Sequence, residues 1–279
     1  MASSPLTPDI AASDPPQTPM QPEDLTLTLL GTGTCTPSLR HQPAGYLLQL
    51  GHFSVLIDSG SGTVGRLMQA GLPVHGLDAV VYTHLHLDHT GDLFPMLFSL
   101  RNSMGFTRTR DFLIFGPPGF QAFYDHLATL YGRWVISEQY HIQVVEWSAF
   151  QQRRLGPFQV QTLPMKHTPS SLGYRFCTAD GRVVAFTGDA DEGPQLAPLL
   201  QGATVAVVDC STPDAEKLEG HLSPRGIREA VQGGGVEQLV LSHLYPPAQS
   251  ERLLQAFEGA PVQQVIQAQD GMRLVIKPR

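Results

Sequence analysis

Between Thr83 and Asp92 the chain reads THLHLDHTGD, which puts His84, His86, Asp88 and His89 within six consecutive positions. Imidazole and carboxylate are donors for divalent transition metals, whereas a loop that needed only polar surface would use Lys, Glu or Ser. The preceding AVVY has the composition of a strand, and a helix is expected to begin near Thr90 or Gly91. The four residues are therefore expected on a tight loop and not on a helix face. His84 and His86, two positions apart, can reach one ion together, while Asp88 and His89 can turn toward a second. The helical HExxH pattern is excluded because its spacing differs. Grouped imidazoles and carboxylates at the mouth of a sheet cost several kcal/mol in desolvation unless a cation neutralises them.

Three more residues stand where a strand is expected to run out into a loop: His167 after VQTLPMK, Asp189 in VVAFTGDA and His243 in LVLSHL. Singly, Asp189 reads as a turn residue of a Gly-Asp bend and His243 as a buried, hydrogen-bonded histidine. Taken with the first cluster they complete a set of five histidines and two aspartates. His41, His52, His75, His126 and His141 have no such partners and read as surface or structural residues. Arg101, Arg108 and Arg110 either grip a phosphate or solvate a loop, and solvation is the preferred reading. GTGT, with Gly31 and Gly33, lacks the third glycine of a dinucleotide fingerprint and reads as a turn near the cluster.

The elements that must position these groups alternate in type. LTLTLL, GYLLQL and FSVLID read as strands, followed by a helical pattern over 64–70 and the strand AVVY. DFLIFG and IQVVEW are strands around a helix at 119–131, and FQVQTL, LGYRFC, RVVAFTGD and TVAVVDC follow, with a short helix near 194–200. PRGIREAVQGG is a helix with Pro in its first turn and Gly beyond its end. EQLVLSH is a strand, SERLLQAFEG a helix capped by Ser, and two strands close the chain. Two successive strand-then-βα stretches suit an α/β fold of two facing sheets with helices outside.

At 279 residues and 42% hydrophobic composition, one large domain over 25–279 is expected, after a Pro-rich tail over 1–24 read as disordered. A formal charge of −7 gives no general attraction to polyanions, so nucleic-acid binding is not favoured. Cys35, Cys177 and Cys210 form no CxxC pair, which disfavours a disulfide framework or thiolate zinc site and points to a reducing cytoplasm. The N-terminus has neither the basic start nor the apolar core of a signal peptide, and no apolar run reaches membrane-spanning length.

THLHLDHTGD, His167, TGDA and LSHL resemble the successive metal motifs of the metallo-β-lactamase fold superfamily, in the branch that contains ribonuclease Z and related phosphodiesterases. LLGTGTCTPS, LIDSGSGTVGRLMQAG, IFGPPGF and HTPSSLGYRF extend the likeness over nearly all of the chain after residue 24. The resemblance implies an αββα sandwich of two mixed β-sheets flanked by helices. It also implies a binuclear site in which His84, His86 and His167 bind one ion, Asp88, His89 and His243 the other, and Asp189 bridges. Zinc is the expected metal, with manganese or iron the alternatives. His221, in AVVDCSTPDAEKLEGHLSP, resembles a non-ligand histidine that protonates the leaving group. Asp209 stands where the family often has a His-Glu pair, and it is expected to orient His221.

The activity so implied is a metal-dependent hydrolase that cleaves phosphodiesters with hydroxide generated between two ions, with Asp88, His221 and Asp209 as catalytic residues. Ribonuclease Z resembles this chain in motifs but carries a long basic, Gly-rich arm for tRNA, and the stretch between Tyr131 and Pro157 is too short and too neutral for one. Small diesters such as cyclic nucleotides are therefore the expected substrates. The alternatives are a ribonuclease Z-like tRNA 3′-end endonuclease, a lactonase or thioesterase, and a metal-containing carrier or binding protein without turnover. A homodimer is left open, and no membrane partner is expected.

Overall fold

The computed structural model describes residues 24–278, so the expected tail lies outside the described residues except for Asp24. The first part of the chain forms β1 (Leu25–Gly31), β2 (Gly45–Leu50), β3 (Phe53–Ile57), α1 (Thr63–Gln69), β4 (Ala79–Val81), α2 (Leu87–Thr90), α3 (Leu93–Asn102), β5 (Phe112–Gly116), α4 (Phe120–Tyr131) and β6 (Ile142–Glu146). The second part forms β7 (Gln152–Leu155), β8 (Phe158–Pro164), β9 (Leu172–Cys177), β10 (Val183–Phe186), α5 (Leu196–Leu200), β11 (Val205–Asp209), α6 (Pro224–Ala230), β12 (Gln238–Ser242), β13 (Gln264–Gln267) and β14 (Arg273–Ile276).

Two seven-stranded mixed sheets result, ordered β14-β1-β2-β3-β4-β5-β6 and β13-β12-β11-β10-β9-β8-β7. The strands carry apolar residues on both faces because both faces are covered. In β4, Ala79 and Val81 enter the core between the sheets, while Val80 packs toward Leu67 of α1, Leu97 of α3 and Phe120 of α4. In β11, Val205 and Val207 face the other sheet, while Ala206 and Val208 join Leu199 of α5 and Ile227 of α6. This is the αββα sandwich. No helix among the described residues is long and apolar enough to cross a membrane.

The parallel pairs β3–β4 and β4–β5 in one sheet, and β10–β11 and β11–β12 in the other, align their carboxyl ends, with Ile57 opposite Val81 and Asp209 opposite Ser242. Loops leaving those ends converge along one edge, the usual place for a site in such sheets.

Three local expectations need correction, and one strand was not anticipated. Asp88 and His89 lie in the one-turn helix α2, not on a loop, because the His86 carbonyl accepts from the N–H groups of His89 (3.0 Å) and Thr90 (3.1 Å). The segment over SERLLQAFEG is 3₁₀, Glu251–Phe257, although Ser250 does cap it by accepting from the Arg252 N–H at 3.2 Å. β7 had no apolar signal, since three of its four residues are exposed at a sheet edge. Arg108 is buried instead of solvated: it donates to the carbonyls of Leu77 (3.0 Å), Arg110 (2.9 Å) and Asp111 (2.8 Å), with its guanidinium 4.9 Å from the Phe112 ring centre. Burial lowers its pKa to about 10, still far above neutrality.

Candidate metal centre

The loop after β4 carries His84 and His86 into α2, which presents Asp88 and His89. His167 follows β8, Asp189 follows β10, and His243 follows β12. Close packing fixes these loops. At Gly188, with φ +57°, a Cβ would stand 2.6 Å from the Cβ of Thr83, so only glycine admits the neighbouring Asp189 loop. Asp58, after β3, and His243 take left-handed φ values of +56° and +55°. Such a conformation costs a non-glycine residue about 1–2 kcal/mol, and their hydrogen bonds hold them there.

Asp189 is the centre of the arrangement. Its Oδ2 lies 3.6 Å from His84 Nε2 and 3.5 Å from His167 Nε2, and His86 Nδ1 is 3.0 Å from that same His167 nitrogen. Its Oδ1 lies 3.0 Å from His89 Nε2 and 3.2 Å from His243 Nε2, with Asp88 Oδ2 3.5 Å from the latter. The structure thus divides the seven predicted residues into two groups of three on either side of one carboxylate.

Two further aspartates set the imidazole orientations. Asp58 Oδ2 accepts from His89 Nδ1 at 2.8 Å and from Thr83 Oγ1 at 2.8 Å, so Thr83 Oγ1 accepts in turn from His84 Nδ1 at 3.0 Å. Asp209 repeats the pattern across the site: its Oδ1 accepts from Ser211 Oγ at 2.6 Å, and that hydroxyl accepts from His243 Nδ1 at 3.1 Å. The Gly220 carbonyl takes the Nδ1 proton of His167 at 2.8 Å. In its neutral form each of these four rings therefore turns a bare Nε2 lone pair toward Asp189.

Lone pairs so placed repel one another and the carboxylate. His84 Nε2, His89 Nε2, His243 Nε2 and Asp189 Oδ1 are all buried without a hydrogen-bond partner, although His89 and His243 stand 3.0 and 3.2 Å from that oxygen and His84 3.6 Å from Oδ2. Such groups are rarely left orphaned, and divalent cations satisfy them all at once. The donor set fits. Burial, joined by the neighbouring His89, lowers the pKa of His84 well below its ordinary value, leaving the neutral imidazole that binds metal. Burial would raise Asp189, but His243 and His89 hold it well below the carboxylate range. His89 is the exception: burial lowers its pKa, and Asp189 and Asp58 on either side more than reverse that, raising it well above the ordinary value.

His221 stands beside this cluster. Its Nδ1 donates to Asp209 Oδ2 at 2.9 Å and its ring stacks on that of His243, 5.3 Å away and tilted 12°. Burial lowers its pKa, but the hydrogen bond and charge of Asp209 raise it above the ordinary value. With Nδ1 engaged, Nε2 is the position from which a proton can leave.

Comparison with known proteins reaches the same class. The family described as "Beta-lactamase superfamily domain" matches residues 54–244, more than half of the chain. The chain belongs to the metallo-β-lactamase superfamily. A ribonuclease Z of Mycobacterium sp. (strain KMS) is 30% identical over 242 residues, covering 79% of this chain and 84% of that protein. Among solved structures, the metallo-β-lactamase fold protein YhfI of Bacillus subtilis is similar with a TM-score of 0.80 at 22% identity, covering 91% of this chain and all of that one. The human short-form tRNase Z gives 0.71 at 24% identity, covering 90% and 99%. The chain is accordingly a metal-dependent hydrolase of the ribonuclease Z-like branch, and the fold implies divalent metal ions.

In this hydrolase every residue singled out for chemistry reaches one edge, Asp209 and His221 included. Asp58, Thr83, Ser211 and the Gly220 carbonyl were not anticipated. An aspartate closing the apolar run FSVLI is the one signal that pointed to Asp58.

Proposed function

We propose that the protein is a binuclear phosphodiesterase acting on small diesters, with His84, His86 and His167 holding one ion, Asp88, His89 and His243 the other, and Asp189 shared between them. The division of donors about the two oxygens of Asp189 carries this reading. Mixed imidazole and carboxylate donors favour zinc, and also suit manganese or iron. If bound there, two divalent ions would supply hydroxide at neutral pH and would neutralise charge on a phosphoryl group.

The remaining chemistry belongs to the chain. Asp58 and Asp209 orient four imidazoles, His89 and His221 directly and His84 and His243 through a hydroxyl. His221 holds a proton at Nε2 and delivers it to the departing alkoxide, a role typically worth about 10²- to 10⁴-fold in rate. Asp209 keeps that ring oriented and stabilises its charged form. The buried walls around Asp189 limit water and strengthen each of these interactions.

A tRNA 3′-end endonuclease is the second reading, favoured by the likeness to the mycobacterial ribonuclease Z. What supports a small substrate is that residues 132–157 are occupied by a 3₁₀ turn, β6 and β7, together with the charge of −7. Purified, metal-loaded protein offered bis(4-nitrophenyl) phosphate, cyclic nucleotides, precursor tRNA, lactones and thioesters will show the highest kcat/KM with the small diesters. Efficient cutting of precursor tRNA at its 3′ end, or preference for a lactone or thioester, would overturn the assignment.

A further inference from the structure

His221 rides on the loop that follows β11, closed at its ends by the Ser211 N–H donating to the Leu222 carbonyl at 3.1 Å. Within it come a 3₁₀ turn, Asp214–Glu216, then Lys217 and Gly220, which takes φ +83°. A loop of that length places an imidazole reproducibly only if something outside it grips the stretch before the histidine. The buried carboxylate of Asp191 does this. Its Oδ1 accepts from Lys217 Nζ at 2.6 Å and from the Glu192 N–H at 2.8 Å, and its Oδ2 accepts from the Gly220 N–H at 3.1 Å, with Lys166 Nζ 3.5 Å away. The Asp191 N–H also donates to the Lys166 carbonyl at 2.7 Å.

The loops bearing His167, Asp189 and His221 therefore meet at one side chain, and apart from the adjacent Glu192 N–H its partners lie on the other two. Asp191 joins donor-bearing segments to each other and not to the core, the arrangement expected of a group that fixes relative position. We propose that Asp191 is a positioning residue for proton delivery: by gripping Lys217 and the Gly220 N–H it sets where His221 stands relative to the leaving group. The inference rests on the proposed role of His221.

The test is a series of substituted phenyl esters of one phosphate, differing in leaving-group basicity, hydrolysed by metal-loaded Asp191→Ala, Asp191→Asn, Lys217→Met and His221→Ala, with bound metal measured for each. Lys217→Met, a change at a partly exposed side chain, serves if Asp191→Ala does not fold. Proton donation matters most for poor leaving groups, so Asp191→Ala and Lys217→Met should lose about tenfold to a hundredfold there. They should stay within about threefold of the parent for 4-nitrophenolate and keep their metal. Asp191→Asn, which retains an acceptor for Gly220, should recover part of the loss. A uniform loss across the series, a loss of metal, or no change, alongside a selective defect in His221→Ala, overturns the role of Asp191. A His221→Ala protein whose losses do not depend on the leaving group overturns the donor assignment itself, and this inference with it.

Discussion

His89 donates from Nδ1 to Asp58 Oδ2 at 2.8 Å, across a contact in which the two side chains expose 1% and 0% of their surface. One carboxylate thereby fixes the tautomer of an imidazole whose other nitrogen faces Asp189. Because Thr83 shares the same oxygen, His84 is oriented by it as well. The two imidazoles thus depend on a residue that touches neither proposed ion.

Replacing Asp58 with alanine removes the acceptor for His89, for Thr83 Oγ1 and for the Thr83 N–H, which lies 2.8 Å from Oδ1. Partners of this kind are typically worth about 10- to 100-fold in metal affinity. Asp58→Ala is expected to weaken metal binding by that factor, measured by titration against a competing chelator. Unchanged affinity in a folded variant would show that the rings are held by packing alone.

Asp209 has a double load, orienting His221 directly and His243 through Ser211. Asp209→Ala should therefore combine two defects that His221→Ala does not: selective loss with poor leaving groups, by about 10²-fold or more, and weakened metal retention. Metal content after dialysis separates them, since His221→Ala should retain its full complement. Equal metal content in both variants would rule out the Ser211 relay.

Stripping metal with a chelator should lower Tm, because the binding free energy of ions held only by the folded state is lost. The pH dependence has a definite sign. In the metal-free protein the pKa of His89 is raised by Asp189 and Asp58 against the effect of burial. Its contribution to stability is complete below about pH 6.5, the unfolded value, and is lost as pH rises through the folded one. The Tm gap between loaded and metal-free protein should therefore widen from about pH 6.5 upward. A gap that narrows over that range would place the proton elsewhere.

The donors were legible because unusual residue types recur where apolar runs end, and the layering because strands buried on both faces are continuously apolar. What supports the donors was not. Asp58 precedes Ser-Gly and reads as a turn residue, and Thr83 and Ser211 are ordinary until the fold brings each beside an imidazole. The helical placement of Asp88 and His89 escaped because α2 is one turn long, too short for periodicity to register. Asp191 gave no signal, since its grip on Lys217 and Gly220 spans more than 25 positions.

Arg108 makes the last case, away from the site. Its guanidinium satisfies the carbonyls of Leu77, Arg110 and Asp111 while covering the Phe112 ring, and the bond to Leu77 is buried. Arg108→Met keeps much of the apolar stem but strands the buried Leu77 carbonyl, worth about 1–3 kcal/mol when left unpaired, and breaks the bonds to Arg110 and Asp111. The variant should lose about 3 kcal/mol in denaturant-monitored unfolding. Metal content and kcat per folded molecule should stay at the parent level, because the residue contacts β5 and the loop before β4, not the metal edge. A loss under about 0.5 kcal/mol would mean the carbonyls find other donors, as exposed surface sites do.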